Sequence, residues 1–190
     1  MTALCPVCVD LDGTLVHADT LRQSFFELAK AKPMRAIAAL FSIPRGKARF
    51  KQAVARVAPF DAAKLPYRED LLGWLRSERA SGRRLILTTG ADFKIACAVS
   101  AHLGVFEAVI ASDGVVNLTG ERKAAEIRRY LGNGPFVYAG DSAADMAVWR
   151  FAEGAVVVDA SPARLLALRR AKIPVLRIFP TAYPSRLEGE

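Results

Sequence analysis

The sequence predicts an α/β fold built on a parallel sheet, with an all-helical insertion after the first strand. Three observations carry the prediction. Short apolar runs at Val7 to Val9, Leu85 to Leu87 and Pro135 to Ala139 each break abruptly into carboxylates, hydroxyls or glycines, as strands buried on both faces do at a functional end. Helical patterns alternate with such runs through the second half of the chain, as right-handed crossovers between parallel strands require. Between Leu15 and Gly82 the alternation stops, and the stretch is basic, alanine-rich and punctuated by Pro33, Pro44, Pro59 and Pro66.

The first strand is expected from Ala3 to Val9. Thr20 is placed to cap a helix carrying Leu21, Phe25, Phe26, Leu28 and Ala29, ending near Pro33. A second helix, Met34 to Ser42, offers Ile37, Leu40 and Phe41 and stops before Pro44. Arg45 to Val57 forms a third, with Phe50, Val54 and Val57 as its apolar stripe and Lys47, Arg49, Lys51 and Arg56 around it. A short turn at Asp61 to Leu65 leads to an amphipathic helix, Tyr67 to Ser81, through Leu71, Leu72, Trp74 and Leu75, with Gly82 as its stop. These boundaries give a core at 1–14 and 83–180, a helical cap at 15–82 and a frayed tail at 181–190.

Arg83 to Gly90 is the second strand, Ala91 to Leu103 a helix stopped by Gly104, and Phe106 to Ala111 the third strand. Asp113 to Thr119 reads as a loop or small hairpin. Lys123 opens the helix Ala124 to Leu131, which Gly132-Asn133-Gly134 ends. The fourth strand runs into Gly140-Asp141-Ser142-Ala143-Ala144-Asp145. Then come a helix at Met146 to Ala152, a fifth strand at Ala155 to Val158, a helix at Pro162 to Arg170 and an edge strand at Pro174 to Ile178.

Composition narrows the function classes. With 190 residues and 52% apolar content, the chain is long enough for one sizeable core and too apolar to be disordered. A formal charge of +8 favours anionic partners: phosphorylated metabolites, nucleic acid or an acidic membrane surface. Three cysteines make no disulfide framework, which points to a reducing cytoplasm. Cys5-Pro6-Val7-Cys8 matches C-x-x-C, but within a strand its thiols face opposite ways and read as buried structural residues. Met1 leads straight into a strand without a signal-peptide pattern, and no apolar run approaches the roughly 18 residues of a membrane span.

The informative stretch is Asp10-Leu11-Asp12-Gly13-Thr14. Two acids at a strand's carboxyl end, one residue apart, converge on one ligand if the chain leaves extended geometry at Gly13. This resembles the first motif of the haloacid dehalogenase (HAD) superfamily. Thr89, Lys123 and the pair Asp141 and Asp145 follow in the family's order, each in the matching strand or helix context. The resemblance covers roughly residues 4–14 and 84–160. It implies a doubly wound, Rossmann-like sheet of order 5-4-1-2-3, with the insertion as a C1-type cap. Tyr67 to Arg84, Ser112 to Leu118 and Gly140 to Arg150 are further similar to HAD modules fused to integral-membrane prenyltransferases of the UbiA family. That likeness implies a membrane prenyltransferase as a candidate partner and a phosphosugar or polyprenyl-linked substrate.

Phosphate-ester hydrolysis needs a nucleophile, a proton for the leaving oxygen and positive charge on the non-bridging oxygens. The resemblance assigns Asp10 as the nucleophile that forms an aspartyl-phosphate and Asp12 as general acid and base. Thr89 with Gly90, and Lys123, are the candidate phosphate-binding groups, with Thr88 as the competing hydroxyl. Asp141 and Asp145, four residues apart across a strand-to-helix turn, suit Mg²⁺. The family adds Asp10 and the backbone carbonyl at the Asp12 position to the metal site. Asp113 reads as a turn former beside Gly114, and His17 and His102 lack metal-ligand spacing. The reading is a Mg²⁺-dependent phosphomonoester hydrolase. A dehalogenase, a nucleic-acid end phosphatase and a non-catalytic module compete with it, and no nucleic-acid recognition motif supports the second.

Overall fold

The computed structural model of the chain describes residues 4–58 and 60–180, with Arg45 described by its backbone alone. The expected strand start at Ala3, the break at Pro59 and the tail at 181–190 lie outside the described residues. Six parallel strands form one sheet: β1 (Val7–Val9), β2 (Leu85–Asp92), β3 (Ala108–Ser112), β4 (Val137–Gly140), β5 (Gly154–Val158) and β6 (Val175–Phe179). Their order is β3-β2-β1-β4-β5-β6, the order implied by the resemblance with β6 added at the edge.

Strand alternation sorts the core into two faces. Val7, Val9, Leu85, Leu87, Val137 and Ala139 point to one side, where they pack on α4 (Glu69–Ala80) and α5 (Phe93–Leu103). Cys8, Ile86, Tyr138 and Val157 point to the other, against α6 (Glu121–Tyr130), α7 (Met146–Trp149) and α8 (Pro162–Arg170). Helices on both faces make the sheet doubly wound, and β1 lies at its switch point, with β2 and β4 as neighbours.

The insertion contains α1 (Thr20–Ala31), α2 (Pro33–Leu40) and α3 (Lys47–Val57), which bury Leu28, Ala36, Ala39, Val54 and Ala58 in a small core of their own. The expected cap boundary at residue 82 also takes in α4. Yet Leu71, Leu72 and Leu75 of α4 pack with the strands, because helical spacing marks an apolar face without saying which surface receives it. We propose that the cap ends near residue 66, where the chain re-enters the core. There Val16 pairs antiparallel with Tyr67, and buried Arg68 bonds the Thr14 carbonyl and, at 2.7 Å, the Asp159 carboxylate.

Two ends differ from the sequence reading. Asp19, not Thr20, caps α1, accepting from the amides of Leu21 and Arg22. β2 runs on to Asp92, whose carboxylate caps α5 by accepting from Lys94.

Candidate active site

The carboxyl ends of β1, β2 and β4 converge. Asp10 leaves β1 at the point where the backbone turns, and its Oδ1 accepts from the Leu11 amide at 2.8 Å. Gly13 then adopts a φ of +79°, a left-handed conformation that favours glycine. A Cβ there would also stand 2.5 Å from Asp141 Oδ2, so this glycine lets the two acidic loops approach. Across the gap, Thr14 donates its hydroxyl to Asp141 Oδ1 at 3.0 Å.

Carboxylate oxygens of Asp10, Asp141 and Asp145 lie within 4.8 Å of one another. Their surroundings differ. Asp145 is saturated: Oδ2 accepts from the amides of Asp141 and Ser142 and from the Ser142 hydroxyl, and Oδ1 accepts from the Tyr138 hydroxyl at 2.7 Å. Asp10 and Asp141 each keep an oxygen that no donor meets among the described residues. The Asp12 carboxylate stands outside this trio and accepts from the Thr20 amide at 2.8 Å, at the first turn of the cap.

Lys123, on the first turn of α6, reaches into the same place. Its Nζ lies 3.0 Å from Asp10 Oδ1 and 3.8 Å from Asp145 Oδ1, and donates to the Tyr138 hydroxyl at 2.9 Å. Burial opposes its charge, but Asp10 and Asp145 more than offset this and raise its pKa. Burial drives the Asp10 carboxyl up to about 7 against the attraction of Lys123, with Asp145 pushing the same way as burial. Burial raises Asp12 and Asp141 as well.

The two threonines of β2 divide their work. Thr88 donates its hydroxyl to the Val9 carbonyl and so ties β2 to β1. Thr89 accepts from the Ala91 amide at 2.9 Å, which leaves its proton for another acceptor. A cavity of about 140 Å³ is lined by Asp10, Asp12, Gly90, Thr119, Lys123 and a cap residue, Lys51. Thr88 and Thr89 do not line it, whereas Gly90 does.

Residues 7–150 match the family of haloacid dehalogenase-like hydrolases. The chain belongs to that family. A curated relative, the uncharacterized protein y4nM of Sinorhizobium fredii, is 36% identical over 175 residues, covering 92% of this chain and 34% of its own length. This HAD chain thus spans about a third of that relative. Among solved structures, a phosphoserine phosphatase in apo form is 15% identical with a TM-score of 0.59, covering 92% of each chain. A dehalogenase is 14% identical with the same TM-score, 0.59, covering 94% of this chain and 93% of its own. Equal likeness to a phosphatase and a dehalogenase shows the fold and leaves the chemistry to the site residues.

Sequence reasoning missed Lys51 and Tyr138. Lys51, from α3, donates to the Gly90 carbonyl at 2.5 Å and to Asn117 Oδ1 at 3.1 Å. In sequence it is one cation among several on that helix. Tyr138 lies in an apolar strand and is spelled like core, with no local sign of its hydroxyl partners. Asp113 is the expected turn former, accepting from Val115 and Val116. His17 and His102 are exposed, the latter stacked on Tyr67.

Proposed function

We propose that this HAD hydrolase is a Mg²⁺-dependent phosphomonoesterase that works through an aspartyl-phosphate on Asp10. The observation that carries the reading is the convergence of Asp10, Asp12 and Lys123 on one small cavity, beside the carboxylate trio. The donors fit a hard divalent cation, because Asp10 and Asp141 present free carboxylate oxygens close together and Asp145 braces the loop that carries Asp141. Bound there, the cation supplies positive charge to the phosphoryl oxygens.

The remaining chemistry belongs to the chain. An Asp10 oxygen attacks phosphorus as the bond to the leaving oxygen breaks, and Asp12 delivers the proton that oxygen needs. Water then attacks the aspartyl-phosphate while Asp12 takes its proton, which restores both acids. The raised pKa of Asp12 suits a carboxyl that must carry a proton in the first step. Lys123 neutralises charge on the phosphoryl group, beside Gly90 at the cavity wall, while buried Thr89 stands behind that wall and shapes the turn. A dehalogenase would employ Asp10 but has little need for Asp12 or the metal carboxylates.

The cavity volume suits a phosphoryl group, and a neighbouring cavity of about 440 Å³, sharing Lys51 and Thr119, suits the leaving group. A small phosphorylated metabolite or phosphosugar fits that arrangement, and a lipid-linked phosphosugar is the alternative. The test is phosphate release from a panel of metabolites, oligonucleotide ends and polyprenyl phosphosugars, with Mg²⁺ or with a chelator. Release should depend on Mg²⁺ and disappear in Asp10→Asn, whose amide keeps the shape but not the nucleophilicity. Near-normal turnover by that variant sinks the nucleophile assignment.

A further inference from the structure

Charge on this chain is not spread evenly. Between Leu28 and Phe60 there are eight cations, Lys30, Lys32, Arg35, Arg45, Lys47, Arg49, Lys51 and Arg56, and no acid. This segment alone therefore matches the whole formal excess of +8, since the other nineteen Lys and Arg face nineteen Asp and Glu.

The helix α2 at the centre of that segment is built inside out. Two small residues face inward, with Ala36 4% and Ala39 6% exposed against the cap's small core. Its large apolar side chains face outward: Met34 is 75% exposed and Phe41, just past the helix end, 76%, with Ile37 between them at i+3 from Met34. Phe26, Leu40 and Ile43 add to the exposed apolar surface. A helix serving only the fold presents large residues to the core and small or polar ones to water. Exposed apolar clusters with a polar rim mark interaction sites.

We propose that this cap face docks on an anionic lipid bilayer, with Met34, Ile37 and Phe41 entering the interface and Lys30, Lys32 and Arg35 resting among the phosphates. Charge complementarity chooses the occupant. Thirty-three residues without an acid offer no alternating pattern for a protein partner to match, whereas a bilayer offers a continuous field of phosphate to lysine and arginine together with hydrocarbon for the apolar row. The face also adjoins the way into the site, because Ile43 and Lys47 line the 440 Å³ cavity that Lys51 shares with the catalytic one. No helix among the described residues is long and apolar enough to cross a membrane, and the docking rests on the surface of the cap alone.

The test is vesicle co-sedimentation, with phosphatidylcholine alone or with roughly 30 mol % phosphatidylglycerol, at about 50 mM and about 500 mM salt. Wild type should sediment with the anionic vesicles at low salt and release at high salt. Each cation removed should weaken partition roughly five-fold, the equivalent of about 1 kcal/mol, so neutralising Lys32 and Arg35 to Gln should weaken it roughly 25-fold. Met34→Ser/Phe41→Ser should abolish sedimentation while thermal unfolding is unchanged, both sites being exposed. Phe41→Trp should show a blue-shifted emission on adding anionic vesicles. Absence of sedimentation with anionic vesicles, equal binding to neutral ones, or indifference to these variants overturns the proposal and returns the face to an acidic protein partner.

Discussion

Lys123 Nζ lies 3.0 Å from Asp10 Oδ1, with the two side chains 5% and 11% exposed. An ion pair this far from water is costly to break from one side, because the surviving charge remains buried. Lys123→Met should therefore cost about 3–5 kcal/mol and remove turnover. The double variant Lys123→Met/Asp10→Asn should recover part of that stability and none of the activity, since it removes both charges. Thermal unfolding of the four proteins measures the coupling; strict additivity would mean that the two groups do not interact.

The acids after β4 should separate by function. Asp141→Asn removes a free carboxylate oxygen but leaves the amides of the turn satisfied, so it should weaken Mg²⁺ dependence at least tenfold with stability within about 1 kcal/mol of wild type. Asp145→Ala strands Tyr138, Ser142 and two backbone amides, which should cost several kcal/mol, each orphaned buried donor contributing about 1–3 kcal/mol. Mg²⁺ titration with parallel unfolding curves distinguishes the two. Equal instability in both would make Asp141 structural.

Most of the scaffold was legible because it rests on local signals. Apolar runs breaking at Asp10 and Gly140-Asp141 marked two strand ends, Thr88-Thr89-Gly90 marked the site-bearing part of β2, which runs on to Asp92, and parallel pairing brings these places together without further instruction. What stayed hidden depends on distant packing. Nothing near Tyr138 in the chain says that its hydroxyl meets Lys123 and Asp145, and nothing near Lys51 says that α3 leans on the end of β2. The side of a cap helix turned to water was left open by the sequence: basic residues flanking Ile37, Leu40 and Phe41 allow an interfacial face as well as a packed one, and the burial of Ala36 and Ala39 decides between them.

The buried carboxylates set a pH dependence with a definite sign. Burial raises Asp10 to about 7 from an ordinary 3.8, and raises Asp12 and Asp141. An acid whose folded pKa is raised contributes stability below its unfolded pKa, and that stability is lost as pH rises through the folded value. Chelator-treated protein should thus fall in unfolding temperature from about pH 5 to about pH 8, and Mg²⁺ should raise that temperature more at the upper end, where the site is ionised. In Asp10→Asn the decline should flatten. A Mg²⁺ shift that is larger at about pH 5 than at about pH 8 contradicts the assignment of these acids to the cation.

Lys51 joins cap to core and also places a cation over the cavity lined by Asp10, Asp12 and Lys123. No carboxylate lies within ion-pair distance of it among the described residues. Its neighbours within bonding reach are a neutral carbonyl and a neutral amide, so a bound phosphoryl group is the anion its charge best serves. Burial lowers its pKa despite the opposing pull of Asp12 and Asp19. A lysine so depressed loses its charge at lower pH than an exposed one, so KM for the phosphoester should climb below the ordinary lysine value of 10.5. Lys51→Gln keeps polar reach without charge. It should raise KM about tenfold or more, the scale of one charged hydrogen bond, while kcat changes little, and the alkaline climb should vanish. A fall in kcat at constant KM would instead place Lys51 in the chemical step, and an unchanged alkaline limb would show that another group titrates there.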